Sequence, residues 1–195
     1  MNLPNKITIT RIFLIPVFVA IYYLQIIPFN FLISAAIFVI ASITDFLDGY
    51  IARKYKLVTS FGKFLDPIAD KVLVSTALII LLSPPNGVSV FALSEYGIPT
   101  FLPAIFVAII LARELIISGF RLVAAGKGMV VSADKWGKVK TFFTDISIIW
   151  IIVFMDFNIA ILQLVGFILL GISVVLTIYS GIECIVKNRE ILKEN

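Results

Sequence analysis

The chain has 195 residues, of which 61% are hydrophobic, with a formal net charge of +4 and a mean hydropathy of +1.09. Soluble domains are about 45–50% apolar, so this composition excludes one and predicts an integral membrane protein. There is no histidine and a single cysteine, Cys184. That excludes a Ser-His-Asp triad, an imidazole base, a histidine metal ligand and an internal disulfide, and leaves carboxylates and lysines as the available bases.

The hydropathy pattern predicts an all-α integral membrane protein, a single domain over 1–195 with six transmembrane helices. The apolar spans fall at roughly 8–27, 30–53, 63–83, 100–125, 137–156 and 159–186, each near the ~20 residues that cross a bilayer core. No stretch alternates with period two as barrel strands do, and a bilayer leaves helices as the other way to satisfy backbone groups. The leader MNLPNKITITR is polar and precedes an apolar run interrupted by Pro16. No small-x-small cleavage site follows that run, so a signal peptide is not expected.

The end of the second span and the start of the third hold the chemistry. Residues 45–70 read DFLDGYIARKYKLVTSFGKFLDPIAD, with Asp45, Asp48, Gly49, Ala52, Arg53, Gly62, Asp66 and Asp70 set into apolar sequence. At helical periodicity Asp45, Asp48, Gly49 and Ala52 share a sector of about 100°, as do Gly62, Asp66 and Asp70 on the next helix. Two acidic faces joined by a short basic link can converge in a hairpin. Each charge inside a membrane helix costs about 2.5–3.5 kcal/mol, so four uncompensated aspartates would cost about 10 kcal/mol or more. Arg53, Lys54, Lys56, Lys63 and Lys71 are awkwardly placed to pair all four. Asp45, Asp48, Asp66 and Asp70 are therefore candidate ligands of one or two divalent ions, Mg²⁺ or Mn²⁺, which favour all-oxygen sites. The structural alternative is a set of snorkelling or paired interfacial carboxylates.

Residues 83–99 hold Pro84, Pro85 and Gly87 and read as loop. The fourth span carries Arg113, Glu114 and Arg121. Glu114 can pair with one arginine and leave the other for an anion. The link that follows, SADKWGKVKT at 132–141, adds Lys135, Lys138, Lys140 and Thr141. Arg113, Arg121, Lys135, Lys138, Lys140 and Thr141 form a candidate pocket for an acceptor phosphate if they line the same cavity as the aspartates. Asp145, one turn after Thr141, is a candidate for the same cytoplasmic cavity or for a partner of Lys138 or Lys140. The last two spans hold little polar chemistry, and Gly166, Gly171 and Gly181 read as close-packing positions.

Lysine and arginine fall in the leader, the 53–63 link, the 127–140 link and the tail, all on one side of a six-span chain, with Lys71, Arg113 and Arg121 nearby in helix ends. The opposite connections, around Pro28, from 83 to 99 and around Asp156, contain none. By the positive-inside rule both termini and the aspartate motif are cytoplasmic, so the net charge marks membrane orientation and not a nucleic-acid partner. Intramembrane acids also suit an ion transporter, but these lie at helix ends and no internal repeat is visible.

The pattern D-x2-D-G-x2-A-R-x8-G-x3-D-x3-D resembles the signature of the CDP-alcohol phosphatidyltransferases, with every fixed position filled. The resemblance implies transfer of a phosphatidyl group from a CDP-linked lipid to an alcohol, with release of CMP. Asp70 is then the general base, in part by that analogy. Gly49, Ala52, Arg53 and Gly62 are the CDP-lipid contacts, and Asn5, Thr8 and Arg11 lie near the cavity. NLPNKITITR, Arg113-Glu114, Arg121 and GKVKT resemble the members that make phosphatidylglycerophosphate. This implies CDP-diacylglycerol as donor and sn-glycerol 3-phosphate as acceptor, with other acceptors such as inositol phosphate using the same core. It further implies a homodimer in contact with membrane lipid, multi-pass in a bacterial cytoplasmic membrane with its active site facing the cytoplasm.

Overall fold

The computed structural model describes residues 2–55, 59–85, 96–127, 129, 131, 135–157 and 159–192. Six α-helices account for most of them: α1 (Leu3–Tyr23), α2 (Asn30–Lys54), α3 (Ser60–Ile80), α4 (Leu102–Gly126), α5 (Lys135–Met155) and α6 (Ala160–Lys187), followed by a short 3₁₀ turn, Arg189–Leu192. No strand occurs among the described residues. The six helices coincide with the six apolar stretches of the sequence. Four of them, α1, α2, α4 and α6, are long and apolar enough to cross a membrane. Helices α3 and α5 each carry four charged residues, which lowers their hydropathy.

The first helix starts earlier than the apolar span at 8–27, because α1 begins at Leu3 within the polar leader and runs unbroken through Pro16. Pro4 sits in the first turn, where a missing N–H leaves no hydrogen bond unmade. The hydroxyl of Thr10 turns back onto the carbonyl of Lys6 at 2.9 Å, so this polar side chain is satisfied within the helix.

Two compact units make up the chain, Met1–Val90 with Ile149–Gln163, and Phe91–Ile148 with Leu164–Asn195. In the first, α1 packs on both α2 and α3. Phe18, Tyr22, Phe38, Ala69, Leu73, Leu78 and Ile152 are buried there. The α1–α2 turn is held by Asn30, whose amide donates to the Tyr22 carbonyl at 2.9 Å. The carboxylate of Asp156 accepts the backbone N–H of Leu32 at 2.9 Å, placing an anion at the positive N-terminal end of α2.

In the second unit, Phe106 of α4 stacks on Phe167 of α6 with centroids 5.1 Å apart. Gly171 lies in ordinary contact with the Phe106 ring. The hydroxyls of Thr144 and Ser173 join α5 to α6. Past α4, the Lys127 ammonium donates to the Ile191 carbonyl at 2.9 Å, and Ile191 packs with Phe120 and Ala124.

Candidate active site

Helix α1 gathers the motif aspartates. Asn5, Thr8 and Arg11, spaced three apart and so on one side of α1, are all buried. Arg11 is fully buried, and its guanidinium bonds Asp45 through Nη1 and Asp48 Oδ2 through Nη2, the latter at 2.6 Å. The Thr8 hydroxyl stands 2.8 Å from Asp66 Oδ1 and 3.2 Å from Asp48 Oδ2. Its one proton serves one carboxylate at a time. Aspartates from α2 and α3 thus converge on two α1 side chains. Asp70 lies one turn beyond Asp66 on α3 and is half-buried.

The carboxylates find a counterion that local sequence did not suggest. The nearby cations are awkwardly placed for the task, and Lys54 lies over the rings of Tyr50 and Tyr55, 5.5 and 5.7 Å from their centroids. Arg11 does the pairing across separations of 34 and 37 residues. Sequence spacing is blind to such a pair, because it depends on how α1 crosses α2.

A close approach at Gly62 completes the cluster. Thr59 caps α3 by accepting the Gly62 N–H at 3.0 Å and donates its own proton to Asn5 Oδ1 at 3.1 Å. A Cβ on Gly62 would stand 2.9 Å from Asn5 Oδ1 and 3.2 Å from Thr59 Oγ1. The absence of a side chain is therefore used by α1. Gly49 and Ala52 follow the two aspartates along α2 and are half-buried. The side chain of Arg53 lies outside the described residues.

A metal ion is tested here by the chemistry of the donors. Only carboxylate, hydroxyl and amide oxygens meet at the cluster, a set suited to a hard cation. In the Arg11–Thr8 cluster one guanidinium faces three carboxylates, a formal excess of two negative charges. The residues fit a divalent ion in type and charge. Among the described residues, however, no three acidic, histidine or cysteine side chains are grouped to hold one ion, and Arg11 stands where Asp45 and Asp48 would otherwise share it.

The second unit holds the basic residues. Glu114 on α4 pairs with neighbouring Arg113 at 3.3 Å and with the buried Lys140 of α5. Arg113 Nη2 also donates to Ser180 Oγ of α6 at 3.0 Å. Arg121, two turns along α4, is exposed, as are Lys135 and Lys138 in the opening turn of α5. The Thr141 hydroxyl bonds back to the Gly137 carbonyl at 3.1 Å. Of the six basic-pocket candidates the structure links Arg113 and Lys140, through Glu114. Lys140 meets Glu114 across from α4.

Residues 1–179 match the profile of the CDP-alcohol phosphatidyltransferases. The chain is 44% identical to the CDP-diacylglycerol–glycerol-3-phosphate 3-phosphatidyltransferase of Bacillus subtilis (strain 168), over 98% of this chain and 97% of that protein. It is 45% identical to the protein of the same name from Rickettsia bellii (strain RML369-C), over 92% of this chain and 91% of the other. The one from Haemophilus influenzae is 37% identical, over 93% and 90%. With its aspartate motif gathered by α1 and a family match over nearly its whole length, the chain belongs to the CDP-alcohol phosphatidyltransferase family.

Proposed function

We propose that this chain transfers the phosphatidyl group of CDP-diacylglycerol to a hydroxyl of sn-glycerol 3-phosphate, giving phosphatidylglycerophosphate and CMP. The observation that carries this reading is the convergence of Asp45, Asp48 and Asp66 on Thr8 and Arg11, in a chain whose near-full-length relatives bear the name of that reaction. The acceptor hydroxyl attacks the phosphorus that carries diacylglycerol, a new P–O bond forms, and the bond to the CMP oxygen breaks. Asp70 accepts the hydroxyl proton. A divalent cation held by Asp45, Asp48, Asp66 and Asp70 would neutralise charge developing on the departing phosphate.

Arg11 and Thr8 hold the carboxylates in place before substrate arrives, which lowers the reorganisation needed in the reaction. Gly49, Ala52, Arg53 and Gly62 form the donor side of this reading. Arg113 and Lys140, with Arg121, Lys135, Lys138 and Thr141, take the acceptor phosphate. Glu114 draws Arg113 and Lys140 together, and two cationic donors side by side suit a phosphate.

In the same reading the six helices are six spans, both termini are cytoplasmic, and the protein is a homodimer in the bacterial cytoplasmic membrane. Four sufficiently apolar helices, one-sided basic residues and bacterial relatives support the placement. The test is CMP release by purified protein in micelles containing CDP-diacylglycerol. Release should require glycerol 3-phosphate, stop in chelator and return with Mg²⁺ or Mn²⁺. Release driven by inositol phosphate alone would refute the acceptor, and full turnover in chelator would refute the metal.

A further inference from the structure

Two neighbouring residues of α6, Ser180 and Gly181, hold a single side chain of α4. Arg113 Nη2 donates to Ser180 Oγ at 3.0 Å, while the same hydroxyl donates its own proton to the Thr177 carbonyl at 3.2 Å. The direction is therefore set: the serine proton is used within α6, and its lone pairs face the guanidinium. Ser180 is fully buried. Next to it, a Cβ on Gly181 would stand 3.2 Å from Arg113 Cγ and 3.4 Å from Nε. The arginine stem lies flat across the glycine. With Nη1 on Glu114 and Nη2 on Ser180, both ends of the fork are tied down, so the stem has little room to give.

A Cβ on Gly171 would meet the Phe106 ring at an ordinary 3.5 Å, so that glycine leaves room for a methyl. Gly181 is crossed by a cation. An apolar groove of about 300 Å³ between α4 and α6, lined by Ile109, Ile116, Ile178 and Ile182 with Arg113 and Gly181, surrounds the contact. In such surroundings a guanidinium must be held by defined partners.

We infer that Ser180 and Gly181 are positioning residues for Arg113, setting the angle at which its guanidinium meets the acceptor's phosphate. This rests on the acceptor reading above. Ser180 orients the fork through one nitrogen, Glu114 through another, and Gly181 keeps the stem low enough for both bonds to form together.

The experiment is steady-state kinetics of the full-length protein in micelles with both substrates varied, for Arg113→Ala, Ser180→Ala, Gly181→Ala and each α6 change combined with Arg113→Ala. Ser180→Ala and Gly181→Ala should each raise the KM for glycerol 3-phosphate about tenfold, the scale of one hydrogen bond to a charged group. The KM for CDP-diacylglycerol should stay within about twofold, as expected when only acceptor binding is lost. In the Arg113→Ala background neither change should add anything. If both α6 changes add their full effect there, or alter the two KM values alike, the residues serve helix packing and the inference fails. If Arg113→Ala raises the acceptor KM while neither α6 change does, the inference fails and the acceptor reading stands. If Arg113→Ala leaves that KM unchanged, the acceptor reading fails and takes the inference with it. Should Gly181→Ala not accumulate, Ser180→Ala decides the matter alone.

Discussion

Arg11 shows how one residue can make an acidic cluster tolerable. It is fully buried, as is Asp48, while Asp45 is 36% exposed. Removing one partner of a buried pair costs more than the pair contributes, because the remaining charge keeps its desolvation without its attraction. Arg11→Ala should therefore destabilise the protein by about 3–5 kcal/mol, read as a lower midpoint of thermal unfolding in detergent. Asp48→Asn in the same chain should restore part of that loss, since it removes the carboxylate left unpaired. If the double variant is as unstable as the sum of the two singles, Arg11 and Asp48 are not coupled. Arg11 also bears on the metal: a cation bound at Asp45 and Asp48 must compete with the guanidinium or share the carboxylates with it.

Among the helices, the crossing of α1 and α3 depends on Gly62. Alanine there would press on Asn5 Oδ1 and Thr59 Oγ1, the two atoms that tie α1 to the capped start of α3. Overpacking of this sort costs about 1–3 kcal/mol, and here it pushes apart the helices that carry Thr8 and Asp66. Gly62→Ala should lower the melting midpoint and slow turnover together, and it should cost less stability in an Asn5→Ala background, where the methyl has room. An equal cost in both backgrounds would place the strain elsewhere. The spacing of the motif showed that a glycine stands one turn before Asp66. That the space is used by Asn5 depends on α1, which is remote in sequence.

For the whole molecule the testable quantity is orientation. Lysine and arginine are absent from the connection at 83–99 and abundant at 127–140, so the positive-inside rule places these links on opposite sides. A cysteine replacing Asn86 in a Cys184→Ser background should react with an impermeant thiol reagent added to intact cells. One replacing Lys127 should react only after lysis. The reverse pattern would put the aspartates on the outer face, away from a donor made from cytoplasmic CTP-derived nucleotide.

Six helices, their order and approximate ends, and the aspartate motif were all legible in the sequence, because apolar runs of bilayer length and one-turn spacings are local properties of a chain. Even there α1 started earlier than its hydropathy suggested: the resemblance put Asn5, Thr8 and Arg11 near the cavity, but their partners on α2 and α3 are set by the packing of α1. The resemblance to a family likewise rested on residues close together along the chain. Only the tertiary structure decided which side chain meets Asp45 and Asp48, that Lys140 reaches Glu114, and that Ser180 and Gly181 hold Arg113. Each of these is a contact between helices, set by how they cross and rotate, and no spacing within one helix encodes its angle to another.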